Sequence, residues 1–412
     1  MRIAVVCNDT RGGIQPYVAL ALGLRGAGHD VRAVAPTDLA GMFSQVGLPV
    51  APLSGSIEAV LRDSDGAAER GGVASMRLAA RELPRIIHGW TRETLEACAG
   101  VEVITGGIGG MVIGLSVAER VGARFVEAHL QPIGAPTDAY PGVLIPRVPR
   151  WLGSWGRRLS HHLSESALWM SFRGPMATAR KNVLGLSGEP NAAIGQPVLY
   201  GFSRRVVPLP VVTDRPRFAT GYWVLPPPED WVPPPELEAF LARKGTVVTI
   251  GFGSMASRDA EALTQLVLGA ARSAGVRAVL VSGWGGLKAS NAGDDVFFAD
   301  SLPHGWLFPR VAAVVHHGGA GTTGTALRAG VPAVVVPFTM DQPFWGSRVE
   351  ALGAGPKPIP RKRLTEKRLA DALRVATGDA EMRTRAAALG AQLRGEDGVA
   401  EAVAHYSRFA RA

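Results

Sequence analysis

Cysteine is scarce in this chain: two residues in 412, Cys7 and Cys98, neither in a Cys-x-x-Cys pair nor in a Cys/His cluster with zinc-ligand spacing. That excludes a disulfide framework and fits a reducing compartment. Lysine is scarcer than the net charge of +9 suggests, supplying only 6 of the 44 basic residues, and the arginines are scattered among acids instead of massed in a tail. No nucleic-acid partner is therefore expected. An arginine-rich background on solvated helix faces accounts for the charge, and an anionic small ligand such as a nucleotide phosphate also suits it. Long apolar runs are missing too, since no window reaches 18 apolar residues free of charge. The opening MRIAVVC breaks at Asn8 and Asp9, so neither a secretory signal nor a membrane span is expected there, and a cytoplasmic location is the default.

What is present is an ordinary globular composition, 47% hydrophobic and 19% charged, at a length that predicts two or three domains. Residues 2–7 form a short apolar run, followed by a Gly12-Gly13 turn, a helical pattern from Pro16 to Leu24 and a second apolar run, Val31 to Ala35. The alternation returns at Val101 to Thr105, Met111 to Val121 and Arg124 to Ala128. Continuous apolar strands between helices predict an α/β fold with doubly wound parallel sheets. Nine prolines between Pro208 and Pro235 then mark an interdomain linker. A second copy of the pattern follows: strands at 246–251, 276–282, 311–316 and 332–337, helices at 260–274 and 322–329. The expected division is 1–212, a linker at 213–235, 236–397, and a helical tail at 398–412. Two such domains place a ligand cleft between them, at the carboxyl ends of the strands.

The strongest local signal is His316-His317-Gly318-Gly319-Ala320-Gly321-Thr322-Thr323 after an apolar strand. Glycines admit close approach of a ligand to the backbone, and the following helix start offers amides and partial positive charge to a phosphate. His317 and the hydroxyls of Thr322 and Thr323 add side-chain donors. Many strand-to-helix turns carry glycines for packing alone; the adjacent His and Thr pair argues for binding.

The ordered set of PHGWLF at 303–308, HHGGAGTT at 316–323, AGVP at 329–332 and DQP at 341–343 resembles the donor signature of sugar-nucleotide glycosyltransferases. TRGGIQPYVALALGLRGAGHDV near the start and GFGSM at 251–255 extend the likeness over essentially the whole chain, closest to the antibiotic and sterol branch of GT-B, family 1 type enzymes. The resemblance implies two Rossmann-like domains facing each other across a cleft, with the last helix crossing back to the first domain. It implies that His317 and the amides around Gly319, Ala320, Gly321, Thr322 and Thr323 hold a diphosphate, with Ser254 at the distal phosphate. Asp341 and Gln342 would bond the sugar hydroxyls; Trp306 and Leu307 would pack and bond the pyrimidine base. Read alone, Asp341-Gln342 is equally a helix start and Trp306 a core residue.

In that family a histidine or aspartate before the (I/V/T)-x-Pro element is the general base, and here that position is Gly13. The aspartate that orients such a histidine is also missing, the corresponding stretch being Ile104-Thr105-Gly106-Gly107. Asp9, His129 and Asp138 are the candidates for a relocated base; a turn residue, a satisfied strand-end histidine and a solubilising loop residue are their duller readings. An acidic acceptor would need no base at all. The expected function is an inverting, metal-independent transfer of a sugar from a dTDP-deoxysugar or UDP-glucose to a small hydrophobic natural-product or lipid acceptor. No cofactor is expected beyond that nucleoside-diphosphate sugar as co-substrate. Thr325, where UDP-glucose users often carry an acid, tilts the donor toward dTDP. A silent nucleotide-sugar-binding partner and a sugar-nucleotide epimerase are the competing readings. Asp63-Ser64-Asp65 resembles a metal motif of another fold and is read as coincidence. The basic, tryptophan-bearing stretch 147–181 could rest on a membrane or shape an acceptor pocket, but arginines on a solvated face and tryptophans in the core are favoured. Leu53 to Ala74 reads as a mobile loop.

Overall fold

The computed structural model describes residues 1–55, 72–191, 196–210, 215–228, 230–253, 255, 260–283, 287 and 293–409. It divides into two compact units, Met1–Val224 with Asp397–Ala412, and Leu225–Glu396.

The first unit is built on seven parallel strands: β1 (Arg2–Val6), β2 (Asp30–Pro36), β3 (Val50–Leu53), β4 (Val103–Gly106), β5 (Arg124–His129), β6 (Val198–Tyr200) and β7 (Arg217–Ala219). They lie in the order β3-β2-β1-β4-β5-β6-β7, so the winding reverses between β1 and β4. Helices α1 (Arg11–Gly26), α2 (Thr37–Ser44), α3 (Gly72–Ala97), α4 (Ile108–Val121) and α5 (Gly153–Ala179) belong to this unit. Ala4, Val6, Ile104 and Phe125 of the sheet are buried with Trp90 of α3 and Ile113 of α4 in one cluster. Burial on both faces is why these strands read as unbroken apolar runs.

The Gly12-Gly13 pair does not form the expected turn; it lies within the first turn of α1, whose N-cap is Thr10. The expected linker is likewise not all connection. Arg217–Ala219 is a strand of the first sheet, and Pro235 opens a helix of the second unit. The tail folds into the first unit: Tyr406 Oη and Thr105 Oγ1 are 2.5 Å apart, and the His405 ring lies 3.9 Å from that of Phe218.

The second unit has five parallel strands, β8 (Val247–Gly251), β9 (Arg277–Val281), β10 (Val296–Ala299), β11 (Ala313–His316) and β12 (Ala333–Val335), in the order β10-β9-β8-β11-β12. The reversal here falls between β8 and β11. Helices α6 (Pro235–Ala242), α7 (Ala260–Ala274), the single turn α8 (His304–Leu307), α9 (Ala320–Ala329), α10 (Gln342–Ala351), α11 (Glu366–Gly378) and α12 (Ala380–Arg394) accompany it; Gly398–Phe409, α13, is the tail helix of the first unit. Ile250, Leu280 and Val315 of adjacent strands join Leu263, Val267 and Leu369 of α7 and α11 in a buried core. Each such side chain contributes about 1.5–3 kcal/mol when fully buried.

Among the described residues no helix is long and apolar enough to cross a membrane. On the surface of α5 and the turn before it, Trp151 and Trp155 are 83% and 63% exposed, contrary to the core placement favoured from sequence; Trp169 packs against the core. Arg180 is not on a solvated face either, being buried in an ion pair with Glu119 at 3.1 Å. Of the expected loop Leu53 to Ala74, residues 56–71 lie outside the described residues and α3 begins at Gly72.

Candidate functional site

In a doubly wound sheet, the strand ends beside the point of reversal leave a crevice for a ligand. In the second unit these are the ends of β8 and β11. The chain leaves β8 through Gly251-Phe252-Gly253 and leaves β11 through His317-Gly318-Gly319 into α9. Gly253 and Gly318 have φ of +62° and +96°, a region that favours glycine. They bring two loops together around the His317 ring. A Cβ on Gly319 would lie 2.6 Å from His317 Nε2, and one on Gly253 would lie 3.0 Å from its Cε1. Any side chain at either position would push the imidazole aside.

His317 Nδ1 is buried and has no hydrogen-bond partner. Burial, with the charge of His304 adding, holds the imidazole down to about 4, so at neutral pH it is uncharged and carries one N–H donor. Its neighbour His316 is spent on structure. It is buried at the end of β11, its Nδ1 accepts from the Gly318 amide at 3.1 Å, and burial followed by the charges of His317 and His304 lowers it to about 3.

α9 is capped by Gly319, with no side chain bonded to the cap. Its first intrahelical bond runs from the Thr323 amide to Gly319 O at 2.9 Å. The amides of Ala320, Gly321 and Thr322 precede that bond, at positions with no acceptor within a helix. An unpartnered imidazole nitrogen beside a helix start of this kind suits an anion. Thr323 differs from expectation: its hydroxyl donates to Gly319 O at 2.9 Å and the residue is fully buried, so it has no surface to offer a ligand. Thr322 remains partly exposed, while Thr325 turns its hydroxyl to Gly321 O.

Asp341 caps α10, and its Oδ2 accepts from Trp345 Nε1 at 3.0 Å. Gln342 is buried; its Oε1 accepts from the amides of Phe338 and Thr339, and its Nε2 donates to Met255 Sδ at 3.3 Å. The Gln342 side chain thus braces the loop after β12, which carries Met340 at φ +55°, instead of standing open. Leu307 is fully buried, leaving only its backbone for a ligand. Trp306 is half-buried, edge-on to Trp231 with ring centroids 5.2 Å apart, and the Arg310 guanidinium lies 4.4 Å from its ring centre. Trp231 had no signal of its own, sitting in a stretch that reads as a linker. Ser254 lies outside the described residues.

In the first unit the corresponding strand ends are those of β1 and β4. Asn8 and Asp9 follow β1, and Gly106-Gly107 lead from β4 into α4. The three base candidates separate here. His129 is fully buried; its Nε2 is paired with Glu127 Oε2 at 2.9 Å, and Glu127 also meets Arg215 at 2.7 Å. Burial alone would raise the Glu127 carboxyl, but the hydrogen bond and charge of His129, with Arg215, hold it down at about 2. His129 is a structural strand-end histidine. Asp138 is tied to α5, its carbonyl accepting from Arg157 and its carboxylate 3.7 Å from Arg158. Asp9 is half-buried at the strand end, and its Oδ1 accepts from the Thr10 amide at 2.6 Å. Among the described residues no group of three or more His, Cys, Asp or Glu could hold a metal ion. Asp63-Ser64-Asp65 lies outside them.

This architecture is that of the GT-B class. The chain is similar to the glycotransferase of kitacinnamycin, with a TM-score of 0.71 at 19% identity over 99% of this chain and 98% of that one. It is similar to glycosyltransferase VinC, solved in complex with dTDP, with a TM-score of 0.68 at 20% identity over 100% of both chains. Residues 285–406 match the family "Erythromycin biosynthesis protein CIII-like, C-terminal domain". In sequence the chain is similar to a sterol 3-beta-glucosyltransferase of Aspergillus clavatus, 34% identical over 432 residues, covering 98% of this chain and 29% of that protein. Over nearly its whole length the chain is similar to family 1 type GT-B glycosyltransferases. It spans less than a third of the length of the sterol glucosyltransferases it matches.

Proposed function

We propose that the chain transfers a sugar from a pyrimidine nucleoside-diphosphate sugar, dTDP- or UDP-linked, to the hydroxyl of a small hydrophobic acceptor, a sterol or a natural product, with inversion at the anomeric carbon. One observation carries this reading: the neutral His317 ring lodged between Gly253 and Gly319 with an unpartnered nitrogen, at the start of α9. The transfer breaks the bond between the anomeric carbon and the diphosphate, so negative charge grows on the leaving oxygen. A preorganised imidazole N–H and the first amides of α9 would stabilise that charge without a metal or other cofactor. The half-buried Trp306 face, with Trp231 beside it, suits the flat pyrimidine, and Asp341 suits a sugar hydroxyl. The acceptor belongs to the first unit. The sterol glucosyltransferase relatives and the dTDP complex of VinC support these substrate classes.

The test is turnover of dTDP- and UDP-sugars with sterol, phenol and amine acceptors, alongside calorimetric binding of dTDP and UDP. Product from one donor series, inverted at the anomeric carbon, is the expected result. Tight nucleotide binding with no product on any acceptor would replace this reading by that of a silent binding partner.

A further inference from the structure

We propose that Asp9 is the general base of this transfer, an assignment that rests on the reading above and deepens it. The carboxylate stands in a place that the fold reserves for it. A Cβ built on Gly13 would overlap the Asp9 carboxyl group; Cγ and both oxygens are the nearest atoms it meets, Oδ1 at 2.6 Å. Residues 9 and 13 are four apart across the entry to α1, so a side chain rooted at 13 would begin where the Asp9 carboxyl group stands. Only one can be there. With the Asp9 carboxyl in this place, any side chain at 13 would have to displace it, so the missing base at 13 and the acid at 9 go together.

The surroundings fit a proton acceptor. Asp9 follows β1 beside the winding reversal of the first sheet, where an acceptor would bind. The Asn8 Oδ1 next to it is buried against Gly109 at the start of α4 and has no hydrogen-bond partner. Burial, and after it the charge of Asp9, push the Cys7 thiol and the Tyr17 phenol up, so both stay neutral beside it. Of the other candidates, His129 is fully buried on Glu127, and the Asp138 carboxylate lies 3.7 Å from Arg158 of α5.

In the step itself the acceptor O–H gives its proton to an Asp9 carboxylate oxygen while the acceptor oxygen forms a bond to the anomeric carbon. The bond from that carbon to the diphosphate breaks, and its electron pair leaves with the nucleoside diphosphate. The carboxylic acid then returns its proton to water.

Wild type, Asp9→Asn and the double variant Asp9→Gly/Gly13→Asp are to be compared on a sterol alcohol and on an acidic nitrophenol, with dTDP and UDP binding measured for each. Asp9→Asn is expected to lose ~10²- to 10⁴-fold in kcat on the alcohol and less than ~10-fold on the nitrophenol, which needs little help to ionise. Nucleotide affinity should stay within about 2-fold of wild type, because the base contributes nothing to ground-state diphosphate binding. The double variant should recover at least ~10-fold over Asp9→Asn on the alcohol, since it restores a carboxylate beside the same strand end from the other root. Where the double variant does not fold, the contrast between the two acceptors alone decides. Equal losses on both acceptors, or full activity of Asp9→Asn on the alcohol, would overturn the assignment and leave the transferase reading intact. A wild type that binds nucleotide and makes no product from any acceptor would overturn both.

Discussion

At the winding reversal of the first sheet a carboxylate stands over the start of a helix; at the equivalent place in the second sheet an imidazole does. α9 begins after a glycine turn and α1 carries Gly12 and Gly13 in its first turn, and each has the positive end of a helix dipole at the strand ends of its own sheet. In the first unit the chain supplies its own anion there, the Asp9 carboxylate, whose Oδ1 accepts from the Thr10 amide. In the second, Gly319 supplies no side chain, and the ring beside it is kept neutral and aimed into a pocket of glycines. On the proposed reading, the same strand, turn and helix serve two different tasks, proton acceptance in the first unit and support for a departing diphosphate in the second.

The largest effect that would break this comparison is expected at His317. His317→Ala should cost ~10²- to 10³-fold in kcat/KM, the range for removing one donor to developing negative charge, and should weaken dTDP or UDP binding in calorimetry. Asp9→Asn, by contrast, should leave binding intact. If His317→Ala binds nucleotide as wild type does, the two sites are not divided in this way. Next in size is Gly13→Asp alone. A carboxylate at 13 would be the obvious repair of a missing base, yet its Cβ would overlap Asp9. The expected outcome is slower transfer and a loss of ~1–3 kcal/mol in stability from overpacking, read by denaturant titration. Faster transfer by this variant would mean that Asp9 is not in its way.

Much of this was legible in the sequence, for physical reasons. Strands buried on both faces have to be continuous apolar runs, so β1, β2, β5 and β8 were readable to within a residue or two. The three-residue strands β6 and β7 were not, being shorter than the period needed to tell a strand from a loop, and β7 lies among the prolines. His317 and its glycines were legible because close approach demands those residue types. What could not be read is which side chain already spends its hydrogen bonds. Gln342 on its own loop, Thr323 on the Gly319 carbonyl and His129 on Glu127 are three-dimensional pairings with no spacing rule. The relation between Asp9 and Gly13 needs the start of α1, which the sequence reads as a turn.

Acid should separate the two sites as well. His316 and His317 sit at about 3 and about 4, against 6.5 for a free histidine, chiefly because burial disfavours their charged forms. As pH falls below 6.5 the unfolded chain takes up these protons before the folded one does, so the stability is complete above that pH and is lost progressively toward 4 and then 3. Glu127 behaves as a depressed carboxylate: its contribution is complete above 4.5 and is lost only toward 2. His161 and His405 of the first unit are also lowered by burial, so both units weaken, but the deepest depressions lie in the second. Urea midpoints measured from pH 7 down to pH 4 should fall for wild type and fall less steeply for His317→Ala, which removes one of the two sites. An equal slope would mean that His317 does not stay neutral in the fold.

The smallest effect tests the division within a single helix turn. Thr322 and Thr323 are adjacent and chemically alike, yet the Thr323 hydroxyl is buried on Gly319 O while Thr322 keeps an exposed flank. Thr323→Val should change dTDP or UDP affinity by less than about 2-fold and stability by no more than ~1 kcal/mol, because Gly319 O still accepts from the residue 323 amide when the hydroxyl is gone. Thr322→Val should weaken nucleotide binding by roughly 5- to 10-fold if its hydroxyl reaches a phosphate, about the net worth of one ordinary hydrogen bond. The reverse ranking would mean that α9 rotates when it takes up the diphosphate. The anion would then be held by a face of the helix that, without it, is turned into the core.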